Sequence, residues 1–289
     1  MTSTRAIAGE FAENRVALAG FALLVLLLAA ALLAPLVAPQ NPYDLAQLNL
    51  LDSRLPPGAR SSGGTVYRLG TDDQGRDMFS AILFGLRTSF GVGIASTLCG
   101  LVIGVSLGLA AAWIGGWIDA LIMRLADLQL SFPSILIALV LLAVLGQGIG
   151  KIVVALVAVQ WAYYARTARA AAVVERGREY VEAAVALALP RTRILFRHVL
   201  PNCLPPLLVV ASMQIAAAIT LEATLSFLGL GLPVTEPSLG LLVANGYAYI
   251  LSGSWWISLL PGVALLLLIG SMNVVADRLG DVLNPRLRR

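Results

Sequence analysis

Five stretches of this chain, Val16–Pro39, Thr88–Ile118, Leu128–Gly150, Val199–Leu221 and Pro237–Ala276, contain no Asp, Glu, Lys or Arg. Nothing else in the sequence restricts the fold as much. In lipid every backbone N–H and C=O must be paired inside the protein, so an apolar tract of this length is a helix or a strand of a closed barrel. Barrel strands alternate apolar and polar side chains over about 10 positions, whereas these tracts are apolar all round and far longer. The chain is expected to be all-α and polytopic. Composition agrees, because 12% of the 289 residues are charged, about half the share in a soluble domain.

A bilayer core of about 30 Å takes about 20 residues of helix. Each tract supplies one span. Pro133 is expected in the first turn of the third tract, where a missing N–H costs little. Pro201, Pro205 and Pro206 mark the start of the Val199–Leu221 span. The last span is trimmed to Trp255–Ala276, which gives Trp255 and Trp256 the interfacial position that aromatic residues favour. One more span is expected over 146–172. Only Ile152–Ala165 separates Lys151 from Arg166 there, but the helix extends if Arg166 and Arg169 snorkel to the interface. The expected total is six. Ala29-Ala30-Ala31 in the first tract imitates a cleavage site, yet a signal h-region is only about 7–15 residues, so that tract reads as a retained span.

Orientation follows from basic residues. With both termini in the cytoplasm, fourteen of the twenty Lys and Arg residues lie inside, among them Arg5, Arg15, Arg124, Arg166, Arg169, Arg176, Arg178, Arg191, Arg193, Arg197, Arg278, Arg286, Arg288 and Arg289. Arg54, Arg60, Arg68, Arg76, Arg87 and Lys151 lie outside. The chain divides into a tail with the first span (1–40), an outer loop (41–86), a core of five spans (87–276) holding an inner loop at 166–201, and a tail (277–289). The basic residues sit at the ends of apolar tracts and form no continuous basic face, which excludes a nucleic-acid partner; membrane lipid is the expected surroundings.

The outer stretch from Asn41 to Thr65 is rich in Pro, Gly and Ser and reads as loop. Thr71 with Gln74 has capping-box spacing, and Met78, Phe79, Ile82, Leu83 and Leu86 follow at helical period, which predicts a capped helix lying on the outer interface. The alternative makes Asp72, Asp73 and Asp77 a cation or catalytic site, although no histidine or nucleophile joins them. Gly100, Gly104 and Gly108 line one face of the second span, a spacing that lets helix backbones approach closely. In the inner loop Tyr180, Ala183, Ala184 and Leu187 recur at helical period, with Glu175, Glu179 and Glu182 early and Arg191, Arg193 and Arg197 late, an order suited to the helix dipole. Pro190 interrupts this helix. A helix so short is marginal in water and needs a surface, either its own bundle or a soluble partner.

Catalytic machinery is absent. The only lysine, Lys151, has no P-loop around it, and no G-x-S-x-G, H-E-x-x-H or Cys/His pair appears. The one histidine, His198, and two cysteines, Cys99 and Cys203, make no metal-ligand pattern. Polar groups at membrane depth are functional candidates. Gln214 and Glu222, eight residues apart and so expected on one face, and Asn273 are candidates to line a pathway; Gln160 lies in the fourth span. Interhelical hydrogen bonding is the other use for all of them.

Glu182-Ala183-Ala184, followed by Leu189-Pro190 and then Leu200-Pro201-Asn202, resembles the "EAA" loop of bacterial ABC importer permeases. That family's pattern has glycine where this chain has Ala188, with Pro190 as a substitute helix breaker, and an aliphatic residue where His198 stands. Leu69–Asp77, Gly115–Asp119 with Met123-Arg124, Ser226–Gly231, Pro237–Gly240, Asp277–Asp281 and Asn284-Pro285-Arg286 are similar to segments of the dipeptide, oligopeptide and nickel permeases. The resemblance implies the type I ABC importer permease fold and no enzyme activity on this chain. It also implies a second permease, two ATPase subunits that bind ATP and Mg, and an extracytoplasmic binding protein. Tyr180, Glu182, Ala183, Ala184, Leu187, Ala188, Leu200 and Pro201 would couple to the ATPase, and peptides are the implied substrate. Nickel is the alternative, on the likeness of Trp161–Arg166 to nickel permeases. A secondary transporter working alone would need midplane carboxylates and repeats with broken helices, neither of which is evident.

Overall fold

The computed structural model describes residues 9–61 and 63–283. Arg5, Asn284-Pro285-Arg286, Arg288 and Arg289 lie outside them. Among the described residues the regular structure is helical, and strand pairing is limited to two isolated bridges, Arg60 with Val66 and Thr71 with Asp77. The main helices are α1 (Arg15–Leu32), α2 (Met78–Ile114), α3 (Gly116–Ser131), α4 (Ser134–Leu145), α5 (Ile149–Arg176), α6 (Glu179–Ala186), α7 (Leu200–Phe227), α8 (Leu239–Tyr247) and α9 (Trp256–Leu283).

Among the described residues four helical stretches are long and apolar enough to cross a membrane: α1, α2, Arg191–Phe227 and α9. The pair α3–α4 makes a fifth if a bent helix counts as one span. The expected total of six is therefore not confirmed by length and composition, and two elements explain why. The third tract is broken by a 93° bend between α3 and α4. Pro133 stands in that break, not in a first turn, and it holds Phe132 extended at φ −95°, ψ 144°, as the residue before proline prefers. Alone, α4 has 12 residues and rises about 18 Å, short of the bilayer core.

The second element is α5, which has 28 residues but carries Lys151, Arg166, Arg169, Glu175 and Arg176. It runs through the middle of the bundle, with Ile152, Ala155, Leu156, Ala162, Tyr164 and Ala165 fully buried. Much of its surface is covered by protein, so it needs less continuous apolar surface. Arg169 forms a two-bond pair with Asp119 of α3 at 2.5 and 2.7 Å, and Arg166 pairs with Asp127. The arginines expected to snorkel are held by carboxylates of a neighbouring helix.

Glycines set how closely α2 and α5 pack. A Cβ added at Gly104 would lie 2.4 Å from the Trp161 carbonyl oxygen, and one at Gly108 would lie 2.3 Å from that of Ala165. Helix α2 begins at Met78, ten residues before its charge-free tract. The interfacial helix expected at Met78–Leu86 is its first turns, with Met78, Leu83, Phe84 and Leu86 buried. Its N-cap is Asp77, which accepts from Ser80 N, and the Thr71 hydroxyl donates instead to the Asp52 carbonyl. In α7, Pro205 and Pro206 lie inside the helix, and only Pro201 is in its first turn. Trp256 is buried, its Nε1 donating to the Thr71 carbonyl at 3.0 Å, so it clamps the outer loop and only Trp255 keeps an exposed ring.

Candidate functional site

The inner loop is built around Tyr180. Its hydroxyl donates to the Glu175 carboxylate at the end of α5 and accepts from Asn202 Nδ2 at 3.1 Å at the start of α7. Burial, and then the Glu175 carboxylate, push the Tyr180 phenol up to about 12. Helix α6 rests on its own bundle through Val181 and Ala184, 2% and 5% exposed, which pack with Leu109, Ala168, Ile194 and Cys203. Tyr180, Glu182, Ala183 and Leu187 remain exposed, Leu187 at 75%. The periodicity of Tyr180, Ala183, Ala184 and Leu187 thus picked out a stripe of which only Ala184 is buried. Val181, three residues before Ala184, is the anchor it missed; the i, i+3 spacing was there to be read.

Helix α6 ends without help from Pro190. Ala188 N–H donates to the Val185 carbonyl at 2.9 Å and Leu189 N–H to that of Ala184 at 3.2 Å, the two bonds of a Schellman turn. Ala188 takes the left-handed conformation at φ 53°, which explains why a related pattern would have glycine there. Pro190 instead precedes the next turn, Arg191–Ile194, at φ −57°, ψ 137°. One turn of π-helix, Leu195–Val199, contains His198 and leads into α7, where Leu200 is half-buried and Pro201 exposed.

Deeper in the bundle, Gln214 of α7 and Asn273 of α9 line one cavity of about 440 Å³ with Gln160 and Tyr163 of α5 and Thr220 and Thr224 of α7. Gln160 Nε2 donates to the Gln214 carbonyl at 3.3 Å. Among the described residues no charged side chain lines this cavity. Tyr163, Thr220 and Thr224 were missed because only their tertiary setting distinguishes them from other hydroxyls. Glu222 is placed apart from the cavity. It is fully buried, accepting from Ser226 at 2.8 Å and from Ser89 of α2 at 3.2 Å.

Of the outer carboxylates, those of Asp72 and Asp77 are engaged structurally. Asp72 accepts from the backbone N–H of Gln74 and Arg76 at 2.9 Å each and pairs with the Arg76 guanidinium at 2.7 Å, both side chains 1% exposed. Arg76 also donates to the Val234 carbonyl at 3.0 Å, tying the outer loop to the segment between α7 and α8. Burial, and then the Asp72 charge, raise the Asp73 carboxyl above its ordinary range. Among the described residues no group of His, Cys, Asp and Glu is arranged to hold a metal.

Comparison with known proteins adds the family context. Residues 100–289 match the family model described as binding-protein-dependent transport system inner membrane component. Residues 5–57 match the N-terminal TM domain of oligopeptide transport permease C. The di/tripeptide transport system permease protein of Pseudomonas aeruginosa is 38% identical over 279 residues, 96% of this chain and 91% of that protein. The dipeptide transport system permease protein of Haemophilus influenzae is 35% identical over 96% of this chain and 93% of its own length. Among solved structures, an inward-facing methionine ABC transporter, MetNI, aligns with a TM-score of 0.56 at 18% identity, covering 72% of this chain and 98% of that one. At that identity the likeness concerns the fold.

Proposed function

Since the chain belongs to the family of inner membrane components of binding-protein-dependent transport systems, we propose that it is the permease subunit of an ATP-driven importer of di- or oligopeptides. Relatives that share 33–38% of its residues over nearly its whole length are dipeptide or di/tripeptide permeases, which supports the substrate class. The chain hydrolyses nothing itself. ATP and Mg are bound by two ATPase subunits, a second permease completes the pathway, and an extracytoplasmic protein delivers the peptide.

One observation carries the reading. Helix α6 is fixed to its own bundle by Val181 and Ala184 and leaves Tyr180, Glu182, Ala183 and Leu187 exposed for a partner. Ala188, Leu200 and Pro201 complete the coupling surface. ATP binding closes the ATPase dimer, the α6 helices of the two permeases approach, and the spans open outward to accept peptide. Hydrolysis restores the inward-facing state. Gln214 and Asn273 form a polar wall of the pathway, whose amide groups suit a peptide backbone; Glu222 ties α7 to α2.

The test is Glu182→Lys in the complete transporter reconstituted with its binding protein. Glu182 is exposed in the first turn of α6, so reversing its charge opposes the helix dipole without disturbing the core. The expected result is normal amounts of permease in the membrane with loss of ATP-dependent dipeptide uptake. Undiminished uptake together with intact co-purification of the ATPase would remove the coupling assignment.

A further inference from the structure

The last turns of α2, Leu101–Ile114, form one wall of a groove whose other wall is Leu195, Phe196 and the first turns of α7. The groove encloses about 520 Å³. Its lining is apolar apart from Ser106, whose hydroxyl donates to the Val102 carbonyl of its own helix. From Leu101 to Ile114 the helix rises about 20 Å, the depth of one leaflet with its headgroup zone.

Charge is confined to one end of this groove. There the Arg176 guanidinium lies 5.7 Å from the centre of the Trp113 ring and donates to the Ala112 carbonyl at 2.8 Å. Arg193 and Arg197 flank the Leu195–Phe196 wall in the chain, and Arg191 lines an adjoining recess that shares Trp113 and Ile114 with the groove. Arg191, Arg193 and Arg197 are exposed, and none of them takes part in the ion pairs formed among the described residues. Three carboxylates, Glu175, Glu179 and Glu182, are close in the chain or in space. Glu182 lines the recess, and Glu175 faces Arg178 and Tyr180. Positive charge therefore exceeds negative at this end.

A long apolar cleft with Arg176 at one end, Arg191 in the adjoining recess and Arg193 and Arg197 beside its wall in the chain is complementary to a molecule with an acyl tail and an anionic head. We propose that the groove is a binding site for an anionic phospholipid, with an acyl chain along Leu101–Ile114 and the phosphate among Arg191, Arg193 and Arg197. Guanidinium groups bind phosphate through paired, charge-assisted hydrogen bonds, and basic clusters beside a transmembrane helix attract anionic headgroups. A helix of another chain laid in the groove would need carboxylates at this same end to meet the arginines.

Trp113 in the groove wall reports on the occupant. The full-length chain is placed in nanodiscs of phosphatidylcholine and phosphatidylglycerol, with bromine on the acyl chains of one lipid or of the other at equal mole fraction. The Trp113 signal is obtained by difference from Trp113→Phe. Brominated phosphatidylglycerol is expected to quench Trp113 about threefold more than brominated phosphatidylcholine, and high salt is expected to erase the preference. The triple variant Arg191→Gln, Arg193→Gln, Arg197→Gln is expected to equalise the two. Equal quenching in the unaltered chain would mean bulk lipid without headgroup selection, and protection from both lipids would mean a protein occupant; either result overturns the proposal. A preference that survives in the triple variant overturns the role of these arginines. The comparison in the unaltered chain decides even if the triple variant does not fold.

Discussion

Ala188 is held at φ 53° by the two hydrogen bonds that close α6, and a side chain in that conformation crowds the neighbouring backbone carbonyl. Glycine has no such conflict. Ala188→Gly should therefore stabilise the loop by about 1 kcal/mol, seen as slower amide exchange at Val185–Leu189 and no change in the exchange of α9. Faster exchange in the variant would show that the left-handed turn carries no strain. The same residue separates two stages of inference. Its place in the chain identified it as a departure from a pattern, while only its backbone angle explains what the pattern requires. Val181 makes the complementary point, because a template of four apolar positions outvoted a pair of neighbours that the fold uses as its anchor.

Among the elements, the packing of α2 on α5 is set by the glycine stripe. A Cβ at Gly108 would meet the Ala165 carbonyl oxygen at 2.3 Å, backbone that cannot rotate away, whereas a Cβ at Gly91 on the same helix meets nothing within 4 Å. Gly108→Val should force the two helices apart and cost about 3 kcal/mol, the upper range for overpacking. Gly91→Val should be near neutral. Thermal unfolding of the two variants in the same detergent compares them, and equal midpoints would contradict the packing assignment. The spacing of Gly100, Gly104 and Gly108 was legible in the sequence as a packing face, but its partner was not. Nor was the break between α3 and α4, since a proline early in an apolar tract is equally compatible with a first turn. What decides between the two is whether the preceding residues fold back, and here Asp119 and Asp127 of α3 hold the arginines of α5.

For the whole molecule, the excess of arginine on one side predicts a cytoplasmic inner loop. The prediction is checked with single thiols in a background lacking Cys99, which is exposed; Cys203 is buried. Ser252 and Thr192 are both exposed. Ser252→Cys should react with an impermeant maleimide in intact cells, and Thr192→Cys only after permeabilisation. The opposite pattern would invert the orientation.

The sequence by itself determined that this chain is a bundle of lipid-embedded helices, because charge-free tracts of such length leave the backbone no other way to pair its polar groups. It also marked the inner loop, because a helix so short needs a surface, its own bundle or a soluble partner. Tertiary structure decided which tracts are whole spans. A helix packed among others, such as α5, has Arg166 and Arg169 paired with carboxylates of α3 and needs less apolar surface. A tract bent at a proline, such as the third, has composition enough for a span but not the geometry. It also decided that Gln214 and Asn273 share a cavity while Glu222 lies apart in a knot of serines, because which direction a polar side chain takes depends on the neighbours its helix acquires in the folded protein.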